Sequence, residues 1–291
     1  MTRILLTGST GQVGWELKRS LAPLGELIAP DRNNFDLSRP ESLREKIQEW
    51  KPDLIVNPAA YTAVDLAETE HELAFKINGD APRILAEEAE HLQIPLVHYS
   101  TDYVFDGTKK TPYTENDSPN PINVYGESKL KGEKFIQQIC EHNLIIRTSW
   151  VYGHHGHNFF NTMRRLFRER KEVSIVDDQV GAPTWSRMIA ETTTIILGKL
   201  PHYLTDERIG LGRWGLYHMS AKGETSWYGF AEAILKMERL ENTLKLIPVN
   251  TRNYPTAANR PMYSGMDSAY LYSVFDVQLP AWDQSLRLLM T

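Results

Sequence analysis

The chain has one cysteine, Cys140, in 291 residues, so no intramolecular disulfide can stabilise its fold. It also lacks an apolar run of about 18 residues, the length that a membrane-spanning helix needs. No signal-peptide pattern opens the sequence, because a short strand-like apolar run begins already at residue 4. We therefore expect a cytoplasmic protein that does not contact a membrane.

The sequence also has no excess of positive charge. The sequence has 37 acidic and 32 basic residues, which gives a formal net charge of −5. No basic stripe interleaved with aromatic residues is present, so we expect no nucleic-acid partner. Repeats and low-complexity segments are absent, and the length suits one large α/β domain or two interleaved lobes.

A glycine-rich turn near the N-terminus is the most informative pattern that is present. Gly8, Gly11 and Gly14 follow the apolar run at residues 4–6, and helical spacing of apolar residues follows them. Glycine lets the backbone approach a pyrophosphate closely, and a helix N-terminus offers free N–H groups to its oxygens. Asp31 stands about 20 residues further on, where a ribose hydroxyl needs a carboxylate acceptor. The pattern predicts a dinucleotide site, and Arg32 leaves the choice between NADH and NADPH open.

Strand-like and helix-like segments alternate along the first half of the chain. Buried strands are predicted at residues 54–56, 94–100 and 144–147, with a long helical region over 65–91 that is broken near Asn78 and Pro82. This order predicts a Rossmann-type doubly wound parallel sheet over residues 1–150. We expect residues 151–291 to form a smaller substrate-binding lobe, with some segments crossing back onto the first domain. Ligands bind beyond the carboxyl ends of such strands, so the polar residues that follow these strands could all lie in one cleft.

The sharpest candidate for chemistry is the pair Tyr125 and Lys129. Residues four apart lie on one face of a helix, so the hydroxyl and the ammonium would point the same way. A nearby cation is expected to lower the pKa of the phenol and make it a usable general acid. Thr101, or its neighbour Ser100, could hold a substrate carbonyl from a strand end. These groups suit hydride transfer from a nicotinamide to a carbonyl, with Tyr125 protonating the oxygen.

The motifs Thr7-Gly8-x-x-Gly11-x-x-Gly14 and Tyr125-x-x-x-Lys129 resemble those of the extended short-chain dehydrogenases/reductases. Within that family the chain is similar to the dTDP-4-dehydrorhamnose reductases, at residues 11–17, 57–65, 100–107, 124–130, 147–153 and 178–184. The resemblance implies reduction of the C4 keto group of dTDP-4-dehydro-L-rhamnose by NADPH or NADH. That reaction is the last step of dTDP-rhamnose biosynthesis, which serves cell-surface polysaccharides. Residues 151–291 would then mainly bind the sugar nucleotide.

The resemblance also implies roles for individual residues. Tyr125 would donate the proton, Lys129 would tune it and hold the nicotinamide ribose, and Thr101 would complete the triad. Asp102 and Trp150 would contact the sugar nucleotide, together with Thr101 and Tyr125. The implied cofactor contacts are Gly11, Gln12 and Val13 at the pyrophosphate, Asp31, Asp36 and Leu37 around the adenosine, and Ala60, Tyr61, Thr62 and Tyr99 toward the nicotinamide.

Two features of the sequence bear on whether the protein binds a metal. Glu16 matches a position at which some relatives bind magnesium across a dimer, and Glu191 a second, but the late acidic residue of those relatives is absent. We therefore expect no metal site, and either a monomer or a homodimer. The run His154-His155-Gly156-His157 has no thiolate or carboxylate at zinc spacing, so a polar loop beside the cleft is the better interpretation.

Other features distinguish the chain from its relatives. Asp102-Tyr103 stands where sugar-nucleotide dehydratases have Asp-Glu, which argues against dehydration. Tyr263 replaces an amide in the late Arg260-Pro261 stretch. Two alternatives remain open. One is a non-catalytic nucleotide-binding subunit like the β subunit of methionine adenosyltransferase. The other is a sugar-nucleotide epimerase that retains NAD.

Overall fold

The computed structural model describes residues 2–204 and 213–291, and its helices and strands alternate from the N-terminus onward. The strands are β1 (Arg3–Leu6), β2 (Glu26–Ile28), β3 (Leu54–Asn57), β4 (Leu96–Thr101), β5 (Asn143–Thr148), β6 (Val151–Tyr152), β7 (Glu172–Val176), β8 (Val180–Gly181), β9 (Thr184–Trp185), β10 (Gly215–His218), β11 (Thr225–Ser226) and β12 (Lys245–Val249). The α-helices are α1 (Gln12–Ser20), α2 (Leu43–Trp50), α3 (Val64–Ala67), α4 (His71–Phe75), α5 (Ala81–Leu92), α6 (Val124–Ile139), α7 (Phe159–Glu169), α8 (Ser186–Leu204), α9 (Trp227–Met237), α10 (Ala269–Phe275) and α11 (Trp282–Met290).

Six strands form the central sheet in the order β10-β5-β4-β3-β1-β2, and every neighbouring pair is parallel. The chain leaves β1 toward β2 on one side and then crosses to β3 on the other, so the strand order reverses beside β1. The carboxyl ends of strands at such a reversal border a crevice in which ligands bind. The predicted Rossmann-type parallel sheet is confirmed.

Helices cover both faces of this sheet, as a parallel sheet requires. Successive side chains of a strand point to opposite faces. Leu5 and Ile55 therefore face α2, α5 and α6, whereas Leu6 and Val56 face α1, α8 and α10. The described part of the chain contains no helix that is both long and apolar enough to cross a membrane.

A second hydrophobic core lies among α7, α9 and α11 and includes Phe160, Phe230 and Leu286. Three two-stranded sheets accompany it, pairing β11 with β8, β12 with β7, and β6 with β9. Other segments beyond residue 150 belong to the first core. Strand β10 extends the central sheet beside β5, and α8 and α10 pack on its face.

Candidate active site

The turn between β1 and α1 is shaped to receive a phosphate. Gly8 has a φ of +54°, and a Cβ there would lie 2.8 Å from the Cα of Ala59. A Cβ on Gly14 would lie only 2.1 Å from the carbonyl oxygen of Gly8. Gly11 precedes α1, and no side chain caps the first N–H groups of that helix. These N–H groups are therefore available to an anion at the crevice, as the glycine pattern predicts.

A cleft with a volume of about 530 Å³ extends from this turn across the carboxyl ends of the central strands. Ligand pockets for small molecules and cofactors have volumes of this order. The predicted residues that line it are Gly8, Gly11, Gln12, Val13, Asp31, Arg32, Asp36, Leu37, Ala60, Thr62, Tyr99, Tyr125 and Lys129. The buried hydroxyls of Ser100 and Thr148 also line the cleft and have no hydrogen-bond partner among the described residues. Unpaired hydroxyls in a cleft that begins at a phosphate-binding turn fit a nicotinamide dinucleotide.

Not every predicted cofactor residue lines the cleft. Gly14 lies beneath the turn, where it lets α1 approach Gly8. The hydroxyl of Tyr61 donates to Glu70 Oε2 at 2.8 Å, away from the cleft, and burial together with that bond raises the pKa of Tyr61 to about 12. The backbone N–H of Tyr61 is fixed by Asn78 Oδ1 at 2.8 Å.

The sequence reasoning also missed lining residues. Ile77 belongs to a π-helical turn between α4 and α5, and Phe35 lies in the cleft wall with Asp36 and Leu37. Gly156 and His157 also line the cleft, in agreement with the polar loop expected beside it. The break at Asn78 was the one sequence signal that pointed toward Ile77, because π-turns in helices often lie at functional sites.

Acidic and basic groups meet at the end of the cleft that Asp31 and Asp36 line. Asp31 Oδ1 accepts hydrogen bonds from the backbone and side chain of Asn34, at 3.1 and 2.9 Å. Arg32 is largely exposed and lies 3.5 Å from Asp36 Oδ1. Burial acts to raise the pKa of Asp36, but hydrogen bonds from Ser38 and the charge of Arg32 bring it below the usual value.

Helix α6 presents Tyr125 at its first turn. Asn123 caps the helix by accepting the N–H of Gly126 at 2.8 Å. The side chain of Thr101 interacts with the Tyr125 phenol, and its own hydroxyl donates to Asp102 Oδ1 at 3.1 Å. Burial raises the pKa of Tyr125 to about 12, against the lowering effect of Thr101, and the charge of Asp102 adds to the increase. The expected lowering of this pKa by Lys129 is wrong, because burial of the phenol dominates.

Lys129 is fully buried one helical turn below Tyr125 and still borders the cleft. Its ammonium donates to the carbonyl oxygen of Tyr99 at 2.6 Å, and it lies 3.2 Å from Nε2 of His98. Burial lowers the pKa of Lys129 to about 8, although the charge of Glu133 acts to raise it. Glu133 is itself neutralised by a two-pronged ion pair with Arg147 of β5, at 2.6 and 2.9 Å. This pair fixes α6 against the sheet below the catalytic candidates.

On the opposite side of Thr101, Asp102 is buried and has one oxygen free. Its Oδ1 accepts from Thr101 Oγ1 at 3.1 Å, whereas Oδ2 has no partner among the described residues. Burial raises the pKa of Asp102 to about 6. Trp150 has a φ of +46°, donates to Ser264 Oγ at 3.1 Å and stacks on Trp227 at 3.5 Å between ring centroids. The polar group and the aromatic pair are suited to a sugar nucleotide.

The C-terminal tail packs around this site. Arg260 makes a two-pronged ion pair with Asp65, at 2.7 and 3.1 Å, and Asn123 donates to the carbonyl oxygen of Asn259 at 2.7 Å. Tyr263, which replaces the amide of the relatives, donates to Glu224. The tail therefore supports the start of α6 through its backbone and Arg260, and the Tyr263 hydroxyl points to Glu224.

The histidine-rich loop packs against the glycine turn. His155 stacks on Trp15 at 4.8 Å and contacts the carbonyl oxygen of Thr10 at 2.9 Å, while Asn158 donates to Gln12 Oε1 at 2.9 Å. His154 contacts the carbonyl oxygen of Leu289 instead. The imidazoles of His154 and His155 thus have separate partners.

The possible magnesium positions are occupied by an ion pair. Glu16 and Glu191 both face Arg187, at 3.7 and 3.6 Å, so a guanidinium supplies the positive charge between them. Within residues 2–204 and 213–291 no group of three metal-ligating side chains is present.

Comparison with known proteins shows similarity to reductases over the full length of the chain. The family model described as the RmlD substrate binding domain matches residues 1–291. A dTDP-4-dehydrorhamnose reductase of Burkholderia thailandensis is 44% identical over 292 residues, which cover 98% of this chain and 97% of that protein.

Solved structures agree. A dTDP-4-dehydrorhamnose reductase of Clostridium acetobutylicum superimposes with a TM-score of 0.90 at 35% identity, over 99% of this chain and 98% of that one. The reductase of Bacillus anthracis in complex with NADP gives a TM-score of 0.89 at 36% identity, over 99% of each chain. All three relatives are reductases, which favours an enzyme over the regulatory-subunit and epimerase alternatives.

Proposed function

Because this chain belongs to the RmlD family of dTDP-4-dehydrorhamnose reductases, we propose that it reduces the C4 keto group of dTDP-4-dehydro-L-rhamnose to give dTDP-L-rhamnose. One observation supports this most: Tyr125, whose phenol interacts with Thr101, lines the same cleft that begins at the glycine turn. A phosphate cradle and a proton donor on one cleft are what carbonyl reduction requires.

When bound, the reduced nicotinamide supplies a hydride to the C4 carbon. Tyr125 donates its proton to the C4 oxygen as negative charge develops there, so the carbonyl becomes a hydroxyl. A pKa near 12 keeps the phenol protonated at neutral pH, and the developing alkoxide is a stronger base than a phenolate. On substrate binding, Thr101 would turn its hydroxyl proton from Asp102 Oδ1 to the C4 oxygen. The buried Lys129 ammonium borders the same cleft one helical turn below Tyr125 and would bind the nicotinamide ribose.

The sugar would lie on the Asp102 side of Thr101. Oδ2 of Asp102 is buried without a partner in the described residues, and a sugar hydroxyl would satisfy it. The Trp150–Trp227 pair offers a flat apolar surface to the remaining part of the sugar nucleotide. This arrangement supports a division in which residues 1–150 bind the cofactor and residues 151–291 mainly bind the substrate, with β10 and α8 returned to the first core.

Both reduced cofactors would be used. The carboxylate of Asp31 lines the cleft and can accept a ribose hydroxyl of NADH, whereas the exposed guanidinium of Arg32 can pair with the additional phosphate of NADPH. The histidine-rich loop would cover the pyrophosphate, since Gly156 and His157 line the cleft beside the turn.

The test is turnover of dTDP-4-dehydro-L-rhamnose by the purified protein with NADPH and, separately, with NADH. We expect loss of the near-ultraviolet absorbance of the reduced nicotinamide and formation of dTDP-L-rhamnose in equal amounts. An inert protein with both cofactors would contradict the proposal. Inertness together with co-purification of a methionine adenosyltransferase would favour the regulatory subunit, and tightly retained NAD would favour the epimerase.

A further inference from the structure

A buried chain of polar groups runs beneath the cleft from the glycine turn to Lys129. Thr7 Oγ1 lies 2.5 Å from Oδ1 of Asn57, and Nδ2 of Asn57 lies 2.9 Å from Nδ1 of His98. Nε2 of His98 lies 3.2 Å from Nζ of Lys129. All four side chains are at most 1% exposed, so each depends on these contacts for its hydrogen bonds. The roles proposed for the site do not use Thr7, Asn57 or His98.

Donors and acceptors along this chain have to match, because a neutral imidazole has one of each. An ammonium on Lys129 only donates, so Nε2 of His98 must then accept and Nδ1 must carry the proton. Asn57 must in turn present its oxygen to His98 and its nitrogen to Thr7. A neutral Lys129 amine permits the reverse arrangement, in which Nε2 of His98 donates and Asn57 donates to Nδ1. A 180° turn of the Asn57 amide interconverts the two.

Both arrangements leave the imidazole neutral. Burial lowers the pKa of His98 well below its usual value, and the charge of Lys129 adds to this. His98 therefore responds to the charge of Lys129 by changing its tautomer rather than by gaining a proton. The second fixed partner of Lys129, the carbonyl oxygen of Tyr99, only accepts and cannot adapt in this way.

Building on the proposed reductase function, we propose that His98 is a positioning residue that holds the Lys129 side chain at the cleft in both of its protonation states, through coupled reorientation of Asn57. Lys129 thereby keeps one N–H direction free for the cleft throughout the reaction. The other groups around Lys129 are Tyr125 and Glu133 on α6 itself, the carbonyl oxygen of Tyr99 on β4, and Arg147 on β5. The charge of Glu133 acts on Lys129, and Arg147 forms an ion pair with Glu133.

Nitrogen-15 NMR of histidine-labelled, full-length protein without cofactor tests the tautomers directly. We expect the His98 ring to stay neutral from about pH 6 to about pH 10 and to change from the Nδ1–H to the Nε2–H form as Lys129 loses its proton. A His98 ring that becomes cationic in this range, or that keeps one tautomer throughout, would overturn the proposal. This measurement needs no substrate, so it decides the proposal even if the keto-sugar is not turned over.

Kinetics of two variants supply the second test. His98→Leu removes the contact to Lys129, and we expect kcat for the keto-sugar to fall about 10- to 100-fold with KM changed less than about 3-fold. We also expect the alkaline limb of kcat to move to lower pH, because the ammonium of Lys129 has lost an acceptor. His98→Gln can accept from Lys129 through its carbonyl and should restore most of both properties.

His218→Leu is the matched control, because His218 is also fully buried and lies on β10 without contact to Lys129. Unfolding curves of all three variants separate loss of folded protein from loss of function. A His98→Leu protein with the wild-type kcat and pH profile contradicts the proposal. An equal loss of kcat in His218→Leu, or no recovery in His98→Gln, does the same by assigning the effect to core packing.

Discussion

Lys129 combines complete burial with two neutral hydrogen-bond partners, and this determines how its charge responds to pH. Its pKa is lowered from the usual lysine value to about 8, since desolvation outweighs the attraction of Glu133. The ammonium is present below that pH and is lost above it. Tyr125, with a pKa near 12, keeps its proton throughout this range.

We therefore expect kcat/KM for the reduced cofactor, which reports on the free enzyme, to be constant below about pH 8 and to fall above it. The measurement is a pH–rate profile under saturating keto-sugar. In Lys129→Met the remaining low activity should lose this alkaline limb. A wild-type profile that stays flat through about pH 9.5 would contradict the assignment of the limb to Lys129.

Arg32 is the residue that should decide cofactor preference. Arg32→Ala removes an exposed guanidinium at the cleft, and we expect kcat/KM with NADPH to fall about 2- to 5-fold, the scale of an exposed charge pair. The value with NADH should change less than about 2-fold, because Asp31 remains. Lys46→Ala, on the outer face of α2, is the control for general charge effects. Equal losses with both cofactors would show that Arg32 does not recognise the phosphate.

At the scale of elements, two glycines of the turn between β1 and α1 have different roles, one in the fold and one at the cleft. Gly14 is needed by the fold, because its Cβ would overlap the Gly8 carbonyl at 2.1 Å. Gly11 has room for a Cβ, which would lie 3.4 Å from the same oxygen. Gly11 borders the cleft, whereas Gly14 does not.

Urea unfolding of the two alanine variants tests this separation. Gly14→Ala should lower the free energy of unfolding by about 1–3 kcal/mol, the cost of overpacking a close contact. Gly11→Ala should fold with nearly wild-type stability but bind the cofactor at least about 10-fold more weakly, because its methyl group occupies phosphate space. Equal stabilities of the two variants would contradict the structural role of Gly14.

Helix α6 shows how an element fixes catalytic groups from several sides. Asn123 caps its start, the tail supports that cap, and the Glu133–Arg147 pair fixes its middle to β5. The i, i+4 spacing predicted that Tyr125 and Lys129 share a face, and both border the cleft. The spacing could not predict the partners of Lys129, since those come from β4, about 30 residues earlier.

For the whole molecule, local patterns predicted the parallel sheet, its strands β1, β3, β4 and β5, and the glycine turn. The predicted break near Asn78 and Pro82 is a π-helical turn within a helical run that continues from residue 71 to residue 92, and the helical region is instead interrupted at residues 68–70. Periodicity reports which face of an element is buried, and those strands are short, continuous and apolar. That information was sufficient for the first half of the chain.

Long-range pairing was not predictable in this way. Residues 215–218 form β10 only because Leu216 pairs with Ile145, some 70 residues away, and no local signal marks them as the sixth strand. The predicted lowering of the pKa of Tyr125 was wrong for a similar reason. The spacing to Lys129 is local, but burial of the phenol depends on packing around α6. Desolvation of a single hydroxyl is a property of the folded molecule.

The most direct test of the account compares binding and turnover in Tyr125→Phe. The substitution removes the hydroxyl and leaves the glycine turn and the cleft walls in place. We predict a dissociation constant for NADPH within about 3-fold of the wild-type value and a kcat for the keto-sugar at least about 100-fold lower, the contribution of a general acid. Wild-type turnover by Tyr125→Phe would show that another group donates the proton and would contradict the central claim.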